Sequence, residues 1–502
     1  MEEIRKLIDI VSTCSQSDAA LLEGKKQSIK EKKFIQGIEG GLYTTDEEAA
    51  KDLYKTHPND VRYKMLKHRV KKKLFNELSY VNPQKVTTNF VQQKEIQCNS
   101  LIYQANIVRV RYEFDLVTNL ASKALAIAQE FDFIDLKVSA LELLSLSYSE
   151  QSYAKKFTAA QEELKTAMSH FLKEREAVSL FQHATIQLRK STKSRKEFLP
   201  LLPKIIKKLE ELWKGSGTFS AYYAYYRTYI MYHELEGNFK EIIDITVDAL
   251  RRVSENKINA HRFEISYNNY IMVYAHLRAK FFNDGLVYAE KNLSLYNPAT
   301  RNWFAYMENY FLLAVHAKQY ELGNTLQRKI FDNTAFHIIP TIAKERWLLY
   351  RAYFRLIYPN ATIREGEANN PYLLSLPEYS KDKLGFNVAI LTLQFIYLLE
   401  RGETEALLYR IDSIKKYVST HLKDAFSLRS KLFLKLLVLT VTEDYDAVAC
   451  RTKGEALYKK LIDTPAPGDA YAEIEIVPYE HLWDLILQIL SKAEVNSSGR
   501  MR

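Results

Sequence analysis

From about residue 134 onward, apolar residues recur at i, i+3, i+4 and i+7 within helix-length segments separated by short polar turns. The first helices of successive pairs begin near Phe133, Glu174, Thr218, Ala260, Ala299, Ile339, Lys383 and Asp424. That spacing is a period of about 40 residues. A single helix pair cannot bury its apolar face alone, so neighbouring pairs must stack into an array. Composition agrees: only 15 of 502 residues are Gly and 12 are Pro. These are too few for the tight turns and glycine-lined phosphate loops of an α/β enzyme. An apolar share of 47% with 26% charged residues suits a folded chain.

The expected fold class is all-α, a right-handed α-solenoid of antiparallel helix hairpins with a small helical N-terminal module. Residues 1–95 form the basic N-terminal module, 96–358 the helical repeats, 359–381 an irregular insertion, 382–493 the C-terminal repeats and cap, and 494–502 a disordered tail.

Aromatic markers keep the phase of the array. Tyr226-Arg227-Thr228-Tyr229, Tyr267-Asn268-Asn269-Tyr270, Tyr306-Met307-Glu308-Asn309-Tyr310 and Tyr350-Arg351-Ala352-Tyr353 occupy matching places in four first helices. A second marker stands at the turn into the second helix: Gly237-Asn238-Phe239, Lys280-Phe281-Phe282, Lys318-Gln319-Tyr320 and Arg401-Gly402-Glu403-Thr404. There the aromatic or threonine is expected to plug the turn.

With Glu236-Gly237-Asn238-Phe239-Lys240-Glu241-Ile242-Ile243, Arg401-Gly402-Glu403-Thr404-Glu405-Ala406-Leu407 and the small-residue face of Leu120 to Ala128, the chain resembles the tetratricopeptide-repeat family and its longer-period relatives. Its layout is also similar to bacterial helical-repeat proteins with a basic helical N-terminal extension. The resemblance covers roughly residues 100 to 460 and implies a binding or scaffold role. It supplies no active-site residues.

The sequence nominates no catalytic constellation. Lys214-Gly215-Ser216-Gly217-Thr218 lacks Walker spacing and reads as a helix-to-helix turn. The acid pairs Glu162-Glu163 and Glu210-Glu211 are adjacent, so on a helix they diverge. His233, His276 and His316 recur near the repeat period, which suggests packing, because ligands of one metal must converge. Cys14, Cys98 and Cys450 show neither disulfide nor metal spacing and fit a reducing, cytoplasmic setting. No cofactor, metal or membrane span is expected.

Polar residues beside the aligned tyrosines are the candidate partner contacts: Arg227, Asn268, Asn269, Asn309 and Arg351, with Tyr229, Tyr270 and Tyr310. An amide can pair with both groups of an extended peptide backbone, and an arginine can clamp a carboxylate. A protein or peptide partner in this groove is therefore the leading expectation. Nucleic acid is the second. Arg62, Lys64, Lys67, Arg69, Lys71, Lys72 and Lys73 form a basic helix after the shorter helix 46–54, and the pair resembles a helix-turn-helix capped by Thr45 and Asp60. A second basic stretch, read as a loop, carries Arg189, Lys190, Lys193, Arg195 and Lys196. The formal net charge of +10 suits an anionic partner only if these stretches concentrate it.

Overall fold

The computed structural model describes residues 1–14, 28–78, 81–190, 192–359, 387–422, 428–464 and 475–499. Among these residues every regular element is a helix and none is a strand, and helices adjacent in sequence pack on one another. The chain divides into two compact units. One comprises Met1–Glu176, Leu212–Ala221 and Asn259–Arg262, the other Ala177–Glu211, Tyr222–Ile258 and Phe263–Arg502. The insertion expected over 359–381 lies outside the described residues beyond Pro359.

In the first unit, α1 (Glu2–Cys14), α2 (Ile29–Glu39), α3 (Asp46–Tyr54) and α4 (Val61–Glu77) close a core of their own around Phe34, Tyr43, Tyr63, Leu66, Val70 and Leu74. The caps stand where the sequence places them. Thr45 makes a reciprocal capping box with Glu48, and Asp60 accepts from the Arg62 N–H. Beyond the short α5 (Pro83–Val86) come α6 (Phe90–Val110), α7 (Phe114–Glu130) and α8 (Ile134–Glu150). The small face of α7 is buried at Ala121, Ala124 and Ala128, close enough for the Cys98 thiol to reach the Ala124 carbonyl at 3.2 Å. Asp132 ties in the unit's later segments: its carboxylate accepts the Phe219 N–H, and its carbonyl takes the Arg262 guanidinium at 2.7 Å.

α9 (Ala154–Lys190) runs unbroken through Glu174, where a new helix was expected. The reason is local: residues 154–190 contain no glycine or proline and are rich in strong helix formers. The basic stretch that follows is likewise helical over α10 (Thr192–Phe198), not a loop.

Later helices start near the expected places: α11 (Leu202–Ser216), α12 (Phe219–Glu236), α13 (Phe239–Ser254), α14 (Ile265–Arg278), α15 (Phe282–Asn292), α16 (Arg301–His316), α17 (Tyr320–Phe331) and α18 (Thr341–Ile357). They continue with α19 (Asn387–Glu400), α20 (Thr404–His421), α21 (Leu428–Thr442), α22 (Ala447–Asp463) and α23 (Tyr479–Gly499). The last helix, α23, extends to Gly499.

One turn joins several of these pairs. Gly237, Lys280, Lys318 and Gly402 adopt positive φ, at 77°, 62°, 58° and 65°. The next N–H reaches back five residues, as from Phe281 to the His276 carbonyl at 3.0 Å and from Gln319 to Ala314 at 2.8 Å. This is the Schellman closure, which satisfies the orphan carbonyls of the first helix. The residue after it starts the second helix. Phe239 is buried there, and Phe282 and Tyr320 pack against the core, whereas Thr404 is exposed and plugs nothing.

The marker tyrosines are mostly core residues whose hydroxyls stitch successive first helices. Tyr226 donates to Asn268 at 2.8 Å, Tyr350 to Glu308 at 2.7 Å and Tyr353 to the Ala389 carbonyl at 2.5 Å, and Tyr274, outside the markers, donates to Glu234 at 3.0 Å. Gly285 permits the close approach of α14, α15 and α16, since a Cβ there would stand 2.8 Å from Leu313 Cδ2 and 2.9 Å from His276 Cβ.

Candidate functional site

Within the second unit, α14 and α16 each present one stripe to a common cavity: Tyr270, Tyr274, Leu277 and Arg278 from α14, and Ala305, Glu308, Asn309, Leu312 and His316 from α16. The spacings i, i+4, i+7 and i+8 on α14, and i, i+3, i+4, i+7 and i+11 on α16, are those of a single helical face. Arg346 of α18, Arg429 of α21, Phe282, Lys280 and the segment Glu475, Pro478, Glu480 and His481 complete the walls. The cavity holds about 460 Å³, within the range of small-ligand sites.

Arg429 fixes one wall. Its side chain is 3% exposed, and it pairs with Glu475 (Nε to Oε1, 2.5 Å) and Glu480 (Nη2 to Oε1, 2.9 Å). Nη1 donates to the carbonyls of Leu461 at 2.7 Å and Thr464 at 2.9 Å. All edges of the guanidinium are thus occupied by protein, which makes Arg429 the clasp holding Glu475–His481 against α21 and α22. Burial opposes ionisation of Glu480, but Arg429 outweighs it and holds that carboxyl below its usual range.

A second pair stands on the opposite helices. Glu308 accepts from Arg346 at 2.7 Å and from the Tyr350 hydroxyl at 2.7 Å. Burial pushes the Glu308 carboxyl up, against the pull of Arg346 and Tyr350. Arg346 Nε is buried and has no hydrogen-bond partner among the described residues. An unsatisfied buried donor of this kind costs about 1–3 kcal/mol.

Two histidines face the same space in their neutral form. His316 Nε2 donates to the Glu475 carbonyl at 2.9 Å, so its proton sits on Nε2 and Nδ1 is an acceptor. Burial, with Arg278 and Lys280 nearby, pushes His316 down to about 4. Burial, then Lys318 and His316, push His481 down to about 4 as well, and its buried Nδ1 finds no partner among the described residues.

Of the sequence candidates, Tyr270 and Asn309 line this cavity. The other groove positions are held elsewhere. Asn268 is 0% exposed and holds Tyr226 and the Thr246 carbonyl, so no partner reaches it. Asn269 is buried on Asn292 at 3.1 Å, and Tyr310 is buried in the core. Tyr229 donates to Glu241 at 2.9 Å. Arg227 lies over the Tyr267 ring, 4.6 Å from its centroid, and Arg351 over Phe331 at 4.3 Å.

The basic helix α4 spends most of its charge internally. Lys67 pairs with Asp46 (2.8 Å), Arg69 and Lys73 with Glu31 (3.0 and 2.6 Å), Lys71 with Glu3 (2.7 Å) and Arg62 with Asp60 (2.9 Å). Burial opposes the Glu31 charge, but Lys73 and Arg69 hold its carboxyl below the usual range. Lys64 and Lys72 are exposed and make no ion pair among the described residues. In the second stretch Arg189 and Lys190 are exposed, Arg195 is half-buried, and the side chains of Lys193 and Lys196 lie outside what is described. The two stretches belong to different units.

Sequence reasoning missed Glu308, Arg346, Arg429, Glu475, Glu480 and His481, and read His316 as packing. Its phase was the available signal: His233 and His276 accept the Schellman N–H, whereas His316 stands two residues beyond the equivalent Ala314. Among the described residues no group of three or more His, Cys, Asp or Glu side chains is placed to hold a metal ion, and no helix is long and apolar enough to cross a membrane. No family model, curated protein or solved structure matches the chain.

Proposed function

We propose that this chain is a non-enzymatic, right-handed helical-repeat protein of the tetratricopeptide-like kind, with a period of about 40 residues, that binds a protein or peptide partner along its first helices. The observation that carries the reading is the shared stripe of α14 and α16, where aromatic, apolar and hydrogen-bonding side chains, Tyr270 and Asn309 among them, meet at one cavity. A peptide needs that mixture: rings and aliphatic groups for its side chains, amides and hydroxyls for its backbone. We place the protein in the cytoplasm, a reading supported by three buried free thiols.

The test is affinity purification with quantitative mass spectrometry on the full chain. Leu312→Arg, which fills the cavity with charge, abolishes recovery of the partner. Val287→Arg, at a site 68% exposed on α15, leaves it intact. Equal recovery with both variants overturns the groove reading.

A nucleic-acid reading keeps one favourable observation, the exposed row Lys64, His68 and Lys72 on α4. It predicts salt-dependent binding by the full chain that falls on Lys64→Glu plus Lys72→Glu, with the salt slope reduced by about one per lysine. Absence of binding at low salt removes it.

A further inference from the structure

We propose that the cavity lined by α14, α16, α18 and the start of α23 is a carboxylate site, taking an organic monoanion with an apolar body whose carboxylate pairs with the Arg346 guanidinium. This rests on the binding reading above and names the chemistry that the site selects.

Three lines of argument converge on it. The first is charge. The described lining holds four permanent cations, Arg278, Lys280, Arg346 and Arg429, against three carboxylates, Glu308, Glu475 and Glu480. With both histidines neutral, cations outnumber carboxylates among the lining residues, which favours an anionic ligand over a cationic one.

The second is hydrogen-bond demand. The carboxylates are already served, Glu475 and Glu480 by Arg429 and Glu308 by Arg346 and Tyr350, so a cationic ligand would find no waiting partner. The N-terminus of α23, another natural seat for an anion, is taken by Glu475, whose Oε2 accepts the Tyr479 N–H at 3.4 Å. Among the described residues the Arg346 Nε–H, which can only donate, and His481 Nδ1 have no hydrogen-bond partner. The Arg346 side chain is 28% exposed and lines the cavity, so a ligand carboxylate can pair with its guanidinium beside Glu308.

The third is shape. Leu277, Phe282, Leu312 and Pro478 give the same cavity an apolar side, which suits a hydrocarbon or aromatic group attached to the carboxylate and not a bare inorganic ion. A peptide C-terminus and a free carboxylic acid share this chemistry.

Equilibrium dialysis of the full chain separates the two sources. One arm uses acetylated tripeptides randomised at the last two positions with a free C-terminus, a second the same library amidated, and a third 3-phenylpropionate. The free-acid library is retained, and the amidated one at least about tenfold less. Arg346→Gln lowers retention of the acid by about tenfold and leaves the amide unchanged. Since Arg346 also holds buried Glu308, Lys280→Gln at the half-exposed rim provides the second variant, with a severalfold loss expected to grow as salt falls.

Equal retention of acid and amide overturns the carboxylate site while leaving peptide binding standing. Retention of 3-phenylpropionate alone supports the carboxylate site and overturns the peptide reading. Retention of no probe, or acid binding unchanged in both folded variants, overturns the proposal.

Discussion

Arg429 is the side chain on which the candidate site most depends, because it is buried and satisfies two carboxylates and two carbonyls at once. Arg429→Met removes the cation that Glu475 and Glu480 share and leaves Glu480 only Lys280 at 3.6 Å, so a loss of about 3–5 kcal/mol in urea denaturation is expected. Arg429→Lys should not restore it, since an ammonium cannot span both carboxylates. A loss below about 1 kcal/mol would show that Glu475–His481 is held by other means. The neutral histidines set a pH dependence of definite sign. Unfolded, His316 and His481 take up protons from about pH 6.5 downward; folded, they wait until about 4. The unfolded chain binds more protons in that window, so their contribution is full above it and is lost as pH falls from 6.5 toward 4. In His481→Gln the drop in urea midpoint between about pH 7.5 and 5 narrows; an unchanged drop contradicts the assignment.

Helix pairs in this chain end on a left-handed residue whether or not it is glycine. Ser152 sits at φ 59° and Gly402 at 65°, in a region that costs an ordinary side chain about 1–2 kcal/mol. Ser152→Gly, at an exposed site, should therefore raise stability by up to about 1 kcal/mol, and Gly402→Ala should lower it by a similar amount, both read from chemical denaturation. Here the sequence was legible only in part. Gly237 and Gly402 announce their turns, while Tyr112, Asp132, Ser152, Lys280 and Lys318 take the same conformation without a compositional signal. Their strain is offset by packing of the helices they join, which a local pattern does not contain. Helix α9 shows the opposite failure: a period carried through Glu174 was overruled by 37 consecutive residues with no breaker.

At the scale of the molecule, the two units differ in how much core they close. A single continuous cluster in the second unit runs from Val273 to Leu490, whereas α1 to α4 share a small separate one. Local stability follows buried apolar contact, so amides of α4 should open at lower urea than those of α16 in native-state hydrogen exchange. Simultaneous opening would show one cooperative unit where two cores are seen. The same distinction bears on the basic helix. α4 looked like a nucleic-acid face from its run of cations, but helices folded against it supply Glu3, Glu31 and Asp46 as partners, and its own N-cap supplies Asp60.

What the sequence determined by itself was what depends on neighbours along the chain: helices throughout the described residues, most of their starting points, the Thr45 and Asp60 caps and the small face of α7. Periodicity and capping are local, so they can be read from one strand of text. Tertiary structure decided which polar groups remain available. It spent Asn268 and Asn269 on internal bonds, paired most of the described cations of α4, and brought Glu475, Glu480 and His481 from the end of the chain against α14 and α16. That choice depends on long-range packing and on satisfying every buried donor and acceptor, for which the sequence has no period.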